Sequence, residues 1–363
     1  MKFQKITCDS YVFQKSKDVE QTEYDAVEER LKLLLNEGSK IPADSDESEM
    51  ILPDYYDPIK FRIGQNVFKK NIFTMMIAKL SGLLLLLTVP SILDILKFTR
   101  QSGNPCAAFR RYAATILHTC IWYKNSPDED SEFYVSLKNV RRKHCVASKR
   151  SCEAGIGQIS QLDMALTQFG FMGFTLLCAD YLGVATNDEE LDGLLHFWRV
   201  IGRMLGTEER FNLCNGSVEE SKALCRRLLE EIFVPYYAKK SKDFDEMSTA
   251  LLEGLWPINP FVNNKSFRIF TCHLIASAIP NNNYSLDIDD TSLSMYSKII
   301  LNLQLFVHKH LLQVHYWWSS IFRAYFNNQM KIGFYLTEKF PFLAYILYGK
   351  KRSHFNIYKF HFD

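Results

Sequence analysis

One run of fourteen residues, LSGLLLLLTVPSIL (residues 80–93), constrains this chain more than any other feature. It is flanked by Lys79 and Asp94, and Pro90 interrupts it. A bilayer-spanning helix needs ~20 apolar residues, and an internal proline removes a hydrogen bond from the helix. The run therefore fits a buried core helix better than a membrane span.

The rest of the chain supplies further helices. Asp57-Pro58 and Asn104-Pro105 each place a capping side chain before a proline at the first helical position. Pro90 opens PSILDILKFTR, which is expected to end near Ser102-Gly103. Residues 136–149 read as a helix, and residues 155–183 as a long helical stretch with a glycine-rich entry. Thr186 or Asn187 caps an acidic first turn, and SVEESKALCRRLLEEIF carries its own cap. Further helices are expected over 20–37, 243–255 and 265–278, and through the aromatic end, 295–348. No segment alternates apolar and polar residues as a strand does. The expected fold class is all-α, with no repeat of fixed period.

Composition narrows the function classes. The net charge of +2 is too small for a nucleic-acid surface, which needs clustered Lys and Arg. The nine cysteines form no CxxC pair, so neither a zinc site nor a disulfide framework is expected. Reduced thiols in a reducing compartment fit, and residues 1–21 lack the apolar core of a secretory signal. The 27 Phe and 18 Tyr serve either as core or as the lining of an apolar cavity.

No phosphate-binding loop, dinucleotide fingerprint, HExxH or GxSxG motif is present. What remains is a set of polar groups on apolar helices. Arg111, Thr115 and His118 share one helix face, while Val140, Arg141 and His144 occupy adjacent turns of the next helix. A buried cation needs a partner, which an anionic cofactor would supply; a solvated Arg/Lys face is the alternative. A lone imidazole is either a satisfied histidine or an iron ligand. His144 and His118 compete for that second role.

Six segments in order then bring a family into view: FRIGQNVFKKN (61–71), the leucine-rich stretch ending in VP (89–90), RRYAAT (110–115), VRRKH (140–144), QLDMALTQFGF (161–171) and WRVIGRMLG (198–206). In these the chain resembles the catalytic domain shared by rubber oxygenases (latex-clearing proteins) and the ER-bound oxygenase of mycophenolic acid biosynthesis. The resemblance implies one large helical domain, globin-reminiscent, around a haem b pocket. His144 would be the iron ligand, Arg111 and Thr115 would line the pocket as catalytic and cofactor-binding groups, and Arg141 would partner a propionate. Three departures stand out. Rubber oxygenases place a lysine immediately before that threonine, where this chain has Ala114. They carry a second histidine where it has Arg141. Their distal carboxylate has no match here beyond a stand-in, Asp94.

The expected organisation is a polar N-terminal extension (1–54), a haem-binding oxygenase-like domain (55–320) and an aromatic helical tail (321–363). The implied activity joins O2 to a small apolar substrate, an isoprenoid or other unsaturated lipid. The rival reading is a non-catalytic haem or lipid binder. Residues 311–348, with Trp317 and Trp318, form either a packed helix or a peripheral membrane contact. The expected location is intracellular, in the cytoplasm or on the cytoplasmic face of a membrane such as the ER.

Overall fold

Local signals start most of the helices. Asp57 Oδ1 accepts the backbone N–H groups of Ile59 and Lys60, and Asn104 accepts that of Ala107, each just ahead of a proline. Asn187 with Glu190, Ser217 with Glu220 and Ser160 with Asp163 form reciprocal capping boxes. The structure, a computed structural model, describes residues 24–43, 49–239, 241–280, 291 and 293–358. The expected N-terminal signal-free segment, most of the acidic linker and Cys8 lie outside the described residues.

Helix α1 covers 24–38, with its last turn, Leu34–Gly38, wound as a π-helix. Then come α2 (Pro58–Lys70), α3 (Ile72–Leu86), α4 (Pro90–Phe98), α5 (Pro105–Lys124), α6 (Glu132–Glu153) and α7 (Gln161–Leu177). The short α8 (Ala179–Leu182) leads to α9 (Asp188–Met204), α10 (Val218–Leu228), α11 (Val234–Ala238), α12 (Lys242–Leu255) and α13 (Asn264–Ala278). The chain closes with α14 (Met295–Phe306), α15 (Ser319–Lys339), α16 (Phe342–Tyr348) and α17 (Lys350–Ser353). Among the described residues there is no strand, only an isolated bridge between Pro42 and Ser160. The fold is all-α and forms a single helical domain, as the patterning implies.

Several boundaries differ from the sequence expectation. Helix α6 begins at Glu132 because Ser131 caps it by accepting the Tyr134 N–H, inside a stretch whose Pro and acidic residues read as loop. The stretch expected from 155 becomes helical only at Gln161, since Gly155 and Gly157 adopt positive φ and the Ser160 capping box sets the start. The first helix after Pro90 stops at Phe98.

The apolar run splits as expected at Pro90, where α3 and α4 meet at 90°. No described helix is long and apolar enough to cross a membrane alone. Helix α3 is buried along nearly its whole length and packs against α7, with α13 and α15 on its other sides. Glycine pairs bring the central helices together: a Cβ on Gly82 would run into the Gly170 backbone of α7, and one on Gly64 into the Gly193 backbone of α9. The phenyl rings of Phe169, Phe174 and Phe233 fill the space beside the α3–α7 crossing.

Candidate active site

Helices α5 and α6 run antiparallel, which the polar contacts between them show. Near one end, Trp122 Nε1 donates to Ser136 Oγ (3.0 Å), which lies 2.7 Å from His118 Nδ1. His118 Nε2 faces the carbonyl of Ile357 at 3.2 Å. These partners agree on one neutral tautomer: the serine hydroxyl donates to Nδ1 and the Nε2–H donates to the carbonyl. Burial pushes the His118 pKa down to about 4. Both ring nitrogens are thus engaged, and His118 is spent on structure. His196 is also committed, accepting the Asp57 N–H at Nε2 (3.0 Å), and the Nδ1 of buried His308 hydrogen-bonds the Leu182 carbonyl (2.9 Å).

Farther along the pair, Arg111 of α5 lies close enough to Lys143 of α6 to depress it electrostatically. Burial first and Arg111 second bring the Lys143 ammonium down to about 8. Lys143 Nζ also donates to the Ile357 carbonyl (2.9 Å). Arg111 Nη1 donates to Thr99 Oγ1 at 3.2 Å, and burial lowers its pKa. Among the described residues no carboxylate pairs with Arg111. His144 follows Lys143 directly; it is half-buried, with its Nδ1 atom inaccessible to solvent. The structure therefore brings Arg111 to the turn of α6 that carries His144.

Thr115 belongs to an adjoining feature. Its hydroxyl donates to the Arg111 carbonyl of its own helix (3.1 Å), and its side chain lines an apolar cavity of about 60 Å³. Leu80, Tyr112, Ile116, Ile258, Met330 and Phe334 contribute to the walls. One charged residue shares this lining, Lys79 of α3. Its Nζ donates to Thr119 Oγ1 (2.6 Å), whose hydroxyl donates on to the Thr115 carbonyl (2.7 Å). The ammonium also lies 4.4 Å from the centroid of Phe171. Among the described residues no carboxylate meets it, and burial lowers its pKa to about 7.

In the sequence, Lys79 is visible only as the edge of the apolar run. Its signal was a lysine inside a helix that is otherwise apolar or small, IFTMMIAKLSGLLLL. The resemblance expects a lysine beside Thr115, and α5 has Ala114 there. The fold delivers an ammonium to the same cavity from α3. Asp94 does not supply a distal carboxylate: it is exposed on α4, near Lys97. Arg141, though one helical turn from His144, borders a different and more polar hollow of about 610 Å³, with Glu49, Gln161, Arg203 and Glu208. The structure thus unites Arg111 with the His144 turn and Thr115 with Lys79, and sets Arg141 apart from both.

Among the described residues no group of three or more His, Cys, Asp or Glu side chains is placed to hold a metal ion. A haem makes a smaller demand, since its macrocycle supplies four nitrogens and the protein need add one imidazole. Its propionates are anionic, and Arg111 is a half-buried cation that no carboxylate meets among the described residues. In ligand and charge chemistry the residues fit such a group. The Thr115 cavity has room for roughly four water-sized molecules, which suits a small reactant beside the group and not the macrocycle itself.

The sequence family described as ER-bound oxygenase mpaB/B'/rubber oxygenase, catalytic domain, matches residues 68–267. The solved structure of latex clearing protein LCP in the closed state is similar in fold: the TM-score is 0.55 at 14% identity, covering 88% of this chain and 87% of that one. No curated protein sequence matches the chain.

Proposed function

Because the chain belongs to the mpaB/rubber oxygenase catalytic-domain family, we propose that it is a haem b-dependent oxygenase joining O2 to an apolar, unsaturated lipid of isoprenoid type. One observation carries the reading. Two cations without carboxylates, half-buried Arg111 and buried Lys79, lie close to Thr115 in the chain or through its carbonyl, one near the turn of His144 and one in an apolar cavity. Burying a charge without a counter-charge is unfavourable, so such groups are expected where a ligand supplies the balance.

When bound, the haem iron supplies the oxygen chemistry. His144 would hold it through a neutral imidazole, and Arg111 would meet its anionic edge. The protein's remaining tasks fall to residues around Thr115. The walls of Leu80, Ile116, Met330 and Phe334 give a small reactant such as O2, or one end of a hydrocarbon chain, an apolar surrounding. Lys79, with a pKa of about 7, exists in both protonation states near neutral pH, so its Nζ can donate a hydrogen bond or take up a proton. Thr119 fixes that amine by accepting its hydrogen bond. Ala114 and the exposed Asp94 favour a second reading, a non-catalytic haem or lipid binder.

Oxygen consumption separates the two. Protein reconstituted with haemin, given a reductant and squalene, is expected to consume O2 faster than free haemin. Lys79→Met should keep the haem and lose the squalene-dependent uptake. Uptake no faster than the free-haemin control refutes the enzyme reading.

A further inference from the structure

Helix α15 is apolar on two faces. Its inner face mixes the apolar Phe326, Met330 and Phe334 with polar groups: Arg323 Nη2 donates to the carbonyls of Gly183 (3.1 Å) and Leu312 (2.9 Å). Asn327 Nδ2 donates to the Lys70 carbonyl (2.8 Å), and its Oδ1 accepts the Phe73 N–H (2.9 Å). Its outer face carries Ile321, Tyr325, Ile332, Tyr335 and Leu336, spaced as one helical stripe and 47–61% exposed. Trp317, in the turn before the helix, is 78% exposed. The helices before and after it in the chain also expose apolar residues: α14 exposes Tyr296, Ile299, Leu303 and Phe306, and α16 exposes Phe342, Ile346 and Leu347. Scattered exposed apolar residues are ordinary, but three consecutive helices each exposing an apolar stripe are not.

Charge says what covers this surface. Residues 295–358 hold eight basic residues (Lys298, Lys309, Arg323, Lys331, Lys339, Lys350, Lys351 and Arg352) against a single acid, Glu338. That segment therefore carries +7 while the whole chain carries +2, leaving −5 on the remainder. Glu338 is itself paired with Lys339 (2.6 Å). A second copy of the same face would bring like charges together. An anionic bilayer accepts both features: apolar and aromatic side chains enter the acyl boundary, and lysines remain among the headgroups.

We infer that the outer stripe of α15, with Trp317 at its head, lies on the surface of an anionic membrane. The inference does not rest on the oxygenase reading. Met330 and Phe334, on the other side of α15, wall the Thr115 cavity, so one helix separates bilayer from cavity.

The test is co-flotation of the full chain with phosphatidylcholine vesicles, with and without phosphatidylserine. The protein is expected to float with the phosphatidylserine vesicles, to bind them at least tenfold more tightly than neutral ones, and to be quenched in Trp fluorescence by brominated acyl chains. The triple variant Ile321→Ser, Tyr325→Ser, Ile332→Ser changes only exposed positions and should keep the melting temperature while losing at least tenfold in vesicle affinity. Trp317→Phe should lose part of the quenching. Wild-type protein that stays off the phosphatidylserine vesicles overturns the inference. So does triple-variant binding equal to wild type, or a wild-type dimer that the triple variant dissociates, which would assign the face to a second copy.

Discussion

Helices α3 and α15 are neighbours in contact, yet they obey opposite rules. Helix α3 is apolar or small on almost every face, is buried along nearly its whole length and meets α7 through bare glycine backbone. Helix α15 meets it through Asn327, whose Oδ1 accepts the Phe73 N–H, and through the Phe326 ring stacked on Phe73 (centroids 4.9 Å apart), and it leaves a stripe of apolar side chains outside. The first arrangement draws its stability from exclusion of water and close contact. The second is positioned by directional hydrogen bonds, which specify where a helix sits while adding little net free energy each. The difference separates the part of the molecule that makes the fold from the part placed to face something else.

That contrast orders the expected effects. Gly82→Val forces a branched side chain into the Gly170 backbone and should cost about 3 kcal/mol or more in denaturant unfolding. A cost near zero would mean that the α3–α7 crossing is loose. Asn327→Ala leaves the Lys70 carbonyl and the Phe73 N–H without their partner and should cost roughly 2 kcal/mol. Little or no change would show that α15 is held by its apolar contacts after all. Ile332→Ser, on the outer stripe of the same helix, should stay within about 0.5 kcal/mol of wild type.

Lys79 adds a pH dependence to the core side of the comparison. Its folded-state pKa is lowered from 10.5 to about 7, so folding disfavours the proton. The penalty is absent above pH 10.5, grows as pH falls, and is complete below about 7. Lys79→Met should therefore gain stability over wild type progressively as pH falls across that window, read as melting temperature against pH. A difference that is constant with pH would show that the ammonium is not desolvated in the folded chain.

Much of the fold was legible because helix caps are local. Asp57-Pro58, Asn104-Pro105 and Asn187 with Glu190 lie within a few residues of what they cap. Ser131 escaped notice because its cap lies in a segment with the composition of a loop. The site was less legible. Helical spacing puts Arg141 one turn from His144, but tertiary packing sends its long side chain to a separate hollow. The approach of Arg111 to Lys143 depends on the antiparallel register of α5 and α6, and Lys79 reaches the cavity through Thr119, forty residues away. None of these is encoded in a short window. The partners of His118 were equally out of reach of a short window: the Ile357 carbonyl that faces its Nε2 is contributed by a segment more than two hundred residues away.

The central claim concerns His144, and absorption spectroscopy addresses it directly. Haemin-supplemented wild-type protein is expected to show a Soret band that shifts on reduction with dithionite. His118→Gln should retain that band, and His144→Ala should lose it together with the bound haem. A His144→Ala protein with full haem content and an unchanged spectrum would contradict the account.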